Sequence, residues 1–213
     1  MITGGGIAGC AASIAAAEQG LRVALIHDRP VLGGNASSEI RVHTLGIYGK
    51  FERILRMIDT EHYPNGSSDA IKDQEKRDSN MRRYENIDLF LNWRAYDAFS
   101  QDSVIQYVDA RHTSSGDRIR FKSNLFLDST GDGWIGYWAG AEYSYGRESV
   151  YKYGEDWPEW GELWSPEVGD NAVMGSSILW QTAQQDTSIS FPEVPWAREV
   201  ARDHMATAGE WYW

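Results

Sequence analysis

The chain has 213 residues, 42% of them hydrophobic and 24% charged, with a formal net charge of −11 at pH 7. This is the composition of a globular protein that can bury one sizeable core. Its acidic balance argues against a nucleic-acid or anionic-membrane surface, which needs clustered Lys and Arg. No apolar run approaches the ~20 residues of a spanning helix, and no basic-then-apolar leader opens the sequence, so a cytoplasmic setting is the default expectation. Cys10 is the single cysteine, which leaves no intrachain disulfide and no Cys-x-x-Cys pair; with five scattered histidines, no metal site is expected.

The chain opens "MITGGGIAGCAASIAAAEQG". Gly4, Gly6 and Gly9 fit G-x-G-x-x-G, a turn whose first glycine allows the tight bend. The second lets a pyrophosphate approach the backbone, and the third lets the helix lie against the sheet. Ala8, Ala11, Ala12, Ala15 and Ala16 keep the following helix slim, and Gly20 stands where a left-handed cap would end it. Val23–Ile26 is a short apolar run suited to a buried parallel strand. Turn, helix, glycine and strand are thus in βαβ order. The alternative is a glycine-rich helix start with no ligand. An acid that takes an adenosine ribose belongs at the end of the second strand. His27 stands there with Asp28 next, so either one takes the ribose or His27 is a structural histidine.

Next comes "DRPVLGGNASSEIRV", in which Pro30 ends any helix and Gly33-Gly34 gives a loop whose backbone can crowd a ligand. Phe51, Ile54, Leu55 and Ile58 lie at i, i+3, i+4 and i+7, predicting an amphipathic helix with Arg53, Arg56 and Asp59 toward water. Residues 62–86 are polar and turn-rich and read as a surface excursion. "IDLFLNW" (87–93) reads as a strand. Residues 103–112 and 118–123 read as a β-hairpin around "TSSGD". Leu125–Leu127 then runs into the turn Ser129-Thr130-Gly131-Asp132-Gly133 and a short helix. Nine of the ten tryptophans lie between Trp134 and Trp213, a shift that suggests a second region from about residue 149. It is read as packed core or contact surface, with sugar stacking as the alternative.

These segments in this order, over roughly residues 1–200, resemble the FAD-dependent oxidoreductases of the glutathione-reductase-like superfold. More narrowly, they resemble bacterial members with an Arg-Pro-x-Leu-Gly-Gly-Asn-Ala-Ser-Ser-Glu loop. The resemblance implies an α/β fold: a Rossmann-like FAD-binding domain over 1–148 with a parallel sheet and a β-hairpin or meander insertion. The start of a substrate or cap region would follow over 149–213. It implies FAD on Gly4, Gly5, Gly6, Ile7, Ala8 and Gly9, with His27, Asp28 and Arg29 at the second strand's end. Gly33, Gly34, Asn35, Ser38 and Arg41 would run along the cofactor, Ala95 would give a backbone contact to adenine, and Thr130, Gly131 and Asp132 would close over it. No paired cysteines follow the Gly-Gly, which rules out the disulfide-reducing branch. The spacing of His43-Thr44 is wrong for covalent flavin, so His43 reads as a loop histidine near the flavin or at the surface.

The implied function is hydride removal from a small organic substrate, such as a sugar-like alcohol, by an FAD enzyme. The alternatives are a catalytically degenerate binding protein with a tryptophan-rich face, and an FAD-containing RNA-modifying enzyme, which the acidic charge weighs against. The short first strand and the abrupt end at Trp213 read as a fragment, inactive alone. Oligomeric state and catalytic base are not legible.

Overall fold

The structure, a computed structural model, describes residues 1–44, 52–61, 69–154, 166–173, 175, 186–188 and 190. Met1–Leu179 forms one compact unit and Trp180–Trp213 a second; the first carries everything described below.

Strand β1 (Ile2–Thr3) leads through the glycine turn into α1 (Ile7–Glu18) and back to β2 (Val23–His27). The helix ends as its sequence predicts. Gly20, at φ +81°, donates to Ala17 O at 2.9 Å, and Leu21 donates to Ala16 O at 3.2 Å, the paired bonds of a Schellman cap. After α2 (Glu52–Ile58) and α3 (Ala70–Arg82) comes β3 (Ile87–Leu91). Strands β4 (Trp93–Gln101), β5 (Val104–His112) and β6 (Arg118–Phe121) form an antiparallel meander. Then β7 (Leu127–Asp128) and α4 (Trp134–Trp138) follow.

The parallel sheet runs β3-β2-β1-β7, with Ile2 opposite both Leu25 and Leu127. Its two faces are covered by different layers, and the period-2 alternation of β2 shows why. Val23 and Leu25 join Ile2, Cys10, Ile14, Ile54, Ile58 and Met81 under the helices. Ala24 and Ile26, the alternate residues, pack with Ala110 and Phe121 of the meander on the other face. Leu25 and Ile26 are at most 1% exposed; two-sided burial is what an unbroken apolar strand requires. Among the described residues no helix is long and apolar enough to cross a membrane.

Three expectations change. The polar stretch 62–86 is not simply a surface excursion, because α3 occupies 70–82 and buries Asp73, Gln74, Arg77 and Asn80. Composition misled there because the buried face is polar and is satisfied by hydrogen bonds to the backbone and neighbouring side chains. The strand expected over 87–93 stops at Leu91. Asn92 takes a left-handed turn (φ +62°) and Trp93 begins β4, the meander's first strand, so the hairpin is a three-stranded unit. Finally, β7 starts two residues later than expected, at Leu127. The α2 helix is present with Ile54 and Ile58 buried; Phe51 lies outside the described residues, as do Trp157, Trp160, Trp164, Trp180, Trp196, Trp211 and Trp213.

Candidate functional site

The opening turn is packed so closely that only glycine fits at three of its four glycines. Gly4 sits at φ +100°, and a β-carbon there would stand 2.0 Å from Ser129 O. On Gly5 it would meet His27 Cγ at 2.7 Å and Leu32 Cδ2 at 2.8 Å, and on Gly9 it would meet Gly4 O at 1.8 Å. Gly6 is different. Its φ and ψ of −67° and −176° suit any residue, and a β-carbon there would meet nothing within 4 Å. It opens α1, which has no side-chain cap. The first N–H groups of such a helix have no intrahelical acceptor and favour an anion.

Two distant loops meet this turn. Gly33 bridges to Gly6 as a parallel pair and donates its N–H to Gly5 O at 2.7 Å. Gly33 and Gly34 both take positive φ, +117° and +58°, and lead into a 3-10 turn, Gly34–Ala36. From the other side Ser129 donates to Thr3 O at 2.7 Å and lays its carbonyl against Gly4. The convergence of Gly33-Gly34 and Thr130-Gly131 on the opening turn is therefore observed. A cavity of about 490 Å³ lies there, lined by Ala8, Asp128, Gly131, Tyr137 and Tyr143 among others.

Asp128 organises the third wall and was not anticipated. One carboxylate oxygen accepts from the Thr130 N–H (2.9 Å) and hydroxyl (2.7 Å), the other from the N–H groups of Ile135 (2.8 Å) and Gly136 (3.1 Å). The Thr130 hydroxyl in turn accepts from Trp134 N at 3.1 Å. An acid at a strand end, seven and eight residues before two backbone donors of a short helix, is the available sequence signal.

His27 is 6% exposed and its Nδ1 accepts the Gly5 N–H at 3.0 Å. Burial holds its pKa below the ordinary value, so the ring is neutral. The structure thus turns His27 into the turn's inner support and leaves Asp28, its side chain 47% exposed, at the strand end. Arg29 pairs with Glu39 at 2.9 Å. Asn35 O accepts from Val42 N at 2.9 Å, and Ser38 O accepts from Arg41 Nε at 2.9 Å. Arg41 takes φ +63°. Ala95 is buried in β4 beside Ala98, Val108 and Ile135, so only its backbone is available to a ligand. Cys10, 0% exposed, points its Sγ to Gly5 O at 3.4 Å, and burial pushes its thiol up to about 12. It is a packing residue, not a thiolate.

A family model described as FAD dependent oxidoreductase matches residues 1–209. The chain belongs to the FAD-dependent oxidoreductase family. Its cofactor is accordingly FAD, and the residues present fit it. The uncapped start of α1 and the open space before Gly6 suit a pyrophosphate, and two distant loops close on the one turn. Among solved structures, the chain is similar to a geranylgeranyl bacteriochlorophyll reductase-like protein from Thermoplasma acidophilum (16% identity, TM-score 0.49, covering 66% of this chain and 41% of that one). It is also similar to L-proline dehydrogenase from P. horikoshii (12%, 0.46, covering 69% and 57%). A third is p-nitrophenol 4-monooxygenase PnpA from Pseudomonas putida (10%, 0.42, covering 67% and 42%). The chain thus spans roughly two to three fifths of these proteins' length. No curated protein matches the sequence.

Proposed function

We propose that this member of the FAD-dependent oxidoreductase family removes a hydride from a small organic substrate, a sugar-like alcohol or comparable C–H donor. FAD, when bound, supplies the two-electron acceptor for that step. The chain's own residues bind and orient it. The N–H groups at the start of α1 and the backbone of Gly6 and Gly34 receive the pyrophosphate, and Asp28 takes the adenosine ribose through its exposed carboxylate. The edge backbone at Ala95 meets adenine. Thr130, Gly131 and Asp132 flank the cofactor on the β7 side, and Arg41 with Asn35 and Ser38 line its course beyond the Gly-Gly loop. Residues 1–148 form the cofactor unit, and 149–213 begin the region that meets the substrate.

The observation that carries this reading is Gly6. Gly4, Gly5 and Gly9 lack side chains because the protein itself fills the space. Gly6 has no such internal reason, and a bound pyrophosphate supplies one. The test is Gly6→Val in the full-length protein, read by flavin absorption and by thermal melting. The variant is expected to fold normally and to purify colourless. Wild-type flavin content in Gly6→Val would overturn the assignment.

A further inference from the structure

We propose that Arg77 is the positioning residue of the cofactor loop: from α3 its guanidinium fastens the Gly33–Ala36 backbone against the opening turn and so sets the groove for the dinucleotide. The inference rests on the flavoprotein reading above.

Arg77 is 0% exposed, yet its hydrogen bonds among the described residues all run to neutral oxygens. Nη1 donates to Leu32 O and Nη2 to Ala36 O, both at 3.2 Å, so the two ends of the Gly33–Asn35 bend are held by one planar group. Nε donates to Ile58 O at 2.7 Å, which ties the same group to the end of α2. The fit is close: a β-carbon on Gly33 would stand 2.5 Å from Nη1. Gln74 extends the brace. Its Oε1 accepts from both Arg77 Nη1 and Ser38 N, each at 3.2 Å, while its Nε2 donates to Asp78 at 2.9 Å.

A guanidinium offers five donors in a rigid fork, and three separate carbonyls use that fork in a way a lysine ammonium cannot reproduce. Burial works against the charge, although Asp78, Asp73 and Asp59 lie near enough to favour it, and an apolar side chain would fill the volume at lower cost. What the arginine adds is geometry. It holds two successive left-handed residues with Gly34 pressed on Gly6, where a β-carbon on Gly34 would lie 3.2 Å from Gly6 Cα. Its positive charge, behind the loop, also favours an anion in front of it.

The experiment uses the full-length protein and three variants: Arg77→Lys, Gln74→Ala and Asn80→Ala. Asn80 is the control, since it is buried on the same helix but donates to Met57 O at 2.8 Å, away from the loop. FAD affinity is measured by titration of the apoprotein, and loop order by hydrogen exchange of the Ala36 and Ser37 amides, which bond to Gly33 O and Gly34 O. Arg77→Lys and Gln74→Ala should weaken FAD binding tenfold or more and speed exchange at these amides. Asn80→Ala should lower the melting temperature with neither effect. Wild-type affinity and exchange in the two loop variants, or equal losses in Asn80→Ala, would overturn the proposal. If Arg77→Lys does not fold, Gln74→Ala decides by the same readouts. A wild-type protein that binds no flavin removes the functional reading, while the exchange result still decides whether the brace exists.

Discussion

The N–H of Gly33 reaches the carbonyl of Gly5 at 2.7 Å, and this bond joins the loop after β2 to the turn before α1. It makes one edge of the candidate groove a joint of two backbone segments. Small volume changes on either segment should therefore be felt in cofactor binding before they are felt in folding.

Gly34→Ala tests that sensitivity. The residue sits at φ +58°, where an L side chain costs about 1–2 kcal/mol. The added carbon also pushes on Gly6 Cα. A loss of roughly that much stability is expected in denaturant unfolding, with a larger proportional loss of FAD affinity. An affinity equal to wild type would show that the loop does not shape the groove.

Gly4→Ala and Gly9→Ala should behave unlike any change at Gly6. Their β-carbons would fall on backbone atoms at 2.0 and 1.8 Å, which no rotamer can relieve. Both variants are expected to lose soluble expression or to melt far below wild type. Near-native melting of either would mean that the turn is not packed as described.

Asp128→Asn replaces two acceptor oxygens with one oxygen and one amide donor. Either way round, an N–H pair now faces backbone donors from Thr130 or from Ile135 and Gly136. A cost of about 1 kcal/mol is expected for this exposed cap. The Thr130–Gly133 turn should also become easier to cleave by limited proteolysis. Unchanged cleavage would assign the order of that turn to something else.

His27 makes stability depend on pH in a defined direction. The free imidazole titrates near 6.5, and burial holds the folded value lower. Between the two values the unfolded chain binds the proton more readily. The contribution is complete above pH 6.5 and is lost as the pH falls through the folded pKa. His27→Asn keeps an acceptor for the Gly5 N–H without a titrating ring. Its melting temperature should change less between pH 7 and pH 5 than that of wild type; identical slopes would refute the assignment.

The glycine turn, α1 and β2 were legible because each reflects local chemistry: glycine spacing, alanine helix propensity, a cap glycine and an apolar run. The hairpin of β5 and β6 was legible for the same reason. Helix α3 was not, although a helical period was present. Its buried residues Asp73, Gln74, Arg77, Asn80 and Met81 fall at i, i+1, i+4, i+7 and i+8. A search for apolar stripes passes over a face whose partners are mostly polar groups. Asp128 was missed because its four donors come from the segment after it, and only folding brings them to one carboxylate. The inward turn of His27 depends on Gly5, a residue that the three-glycine motif leaves unassigned.

The pairing of β1 with both β2 and β7 has a consequence for how the molecule is made. Ile2 and Thr3 leave the ribosome shortly before β2, but Leu127 and Asp128 arrive only when the meander has been synthesised. Contacts so far apart in sequence are slow to form, because the intervening chain must be ordered first. Until then Gly4 lacks the Ser129 carbonyl that later packs on it, and the turn has two walls instead of three. Completion of the candidate groove thereby waits for β7, and a chain released before residue 128 would carry the glycine turn without the wall that Ser129 supplies.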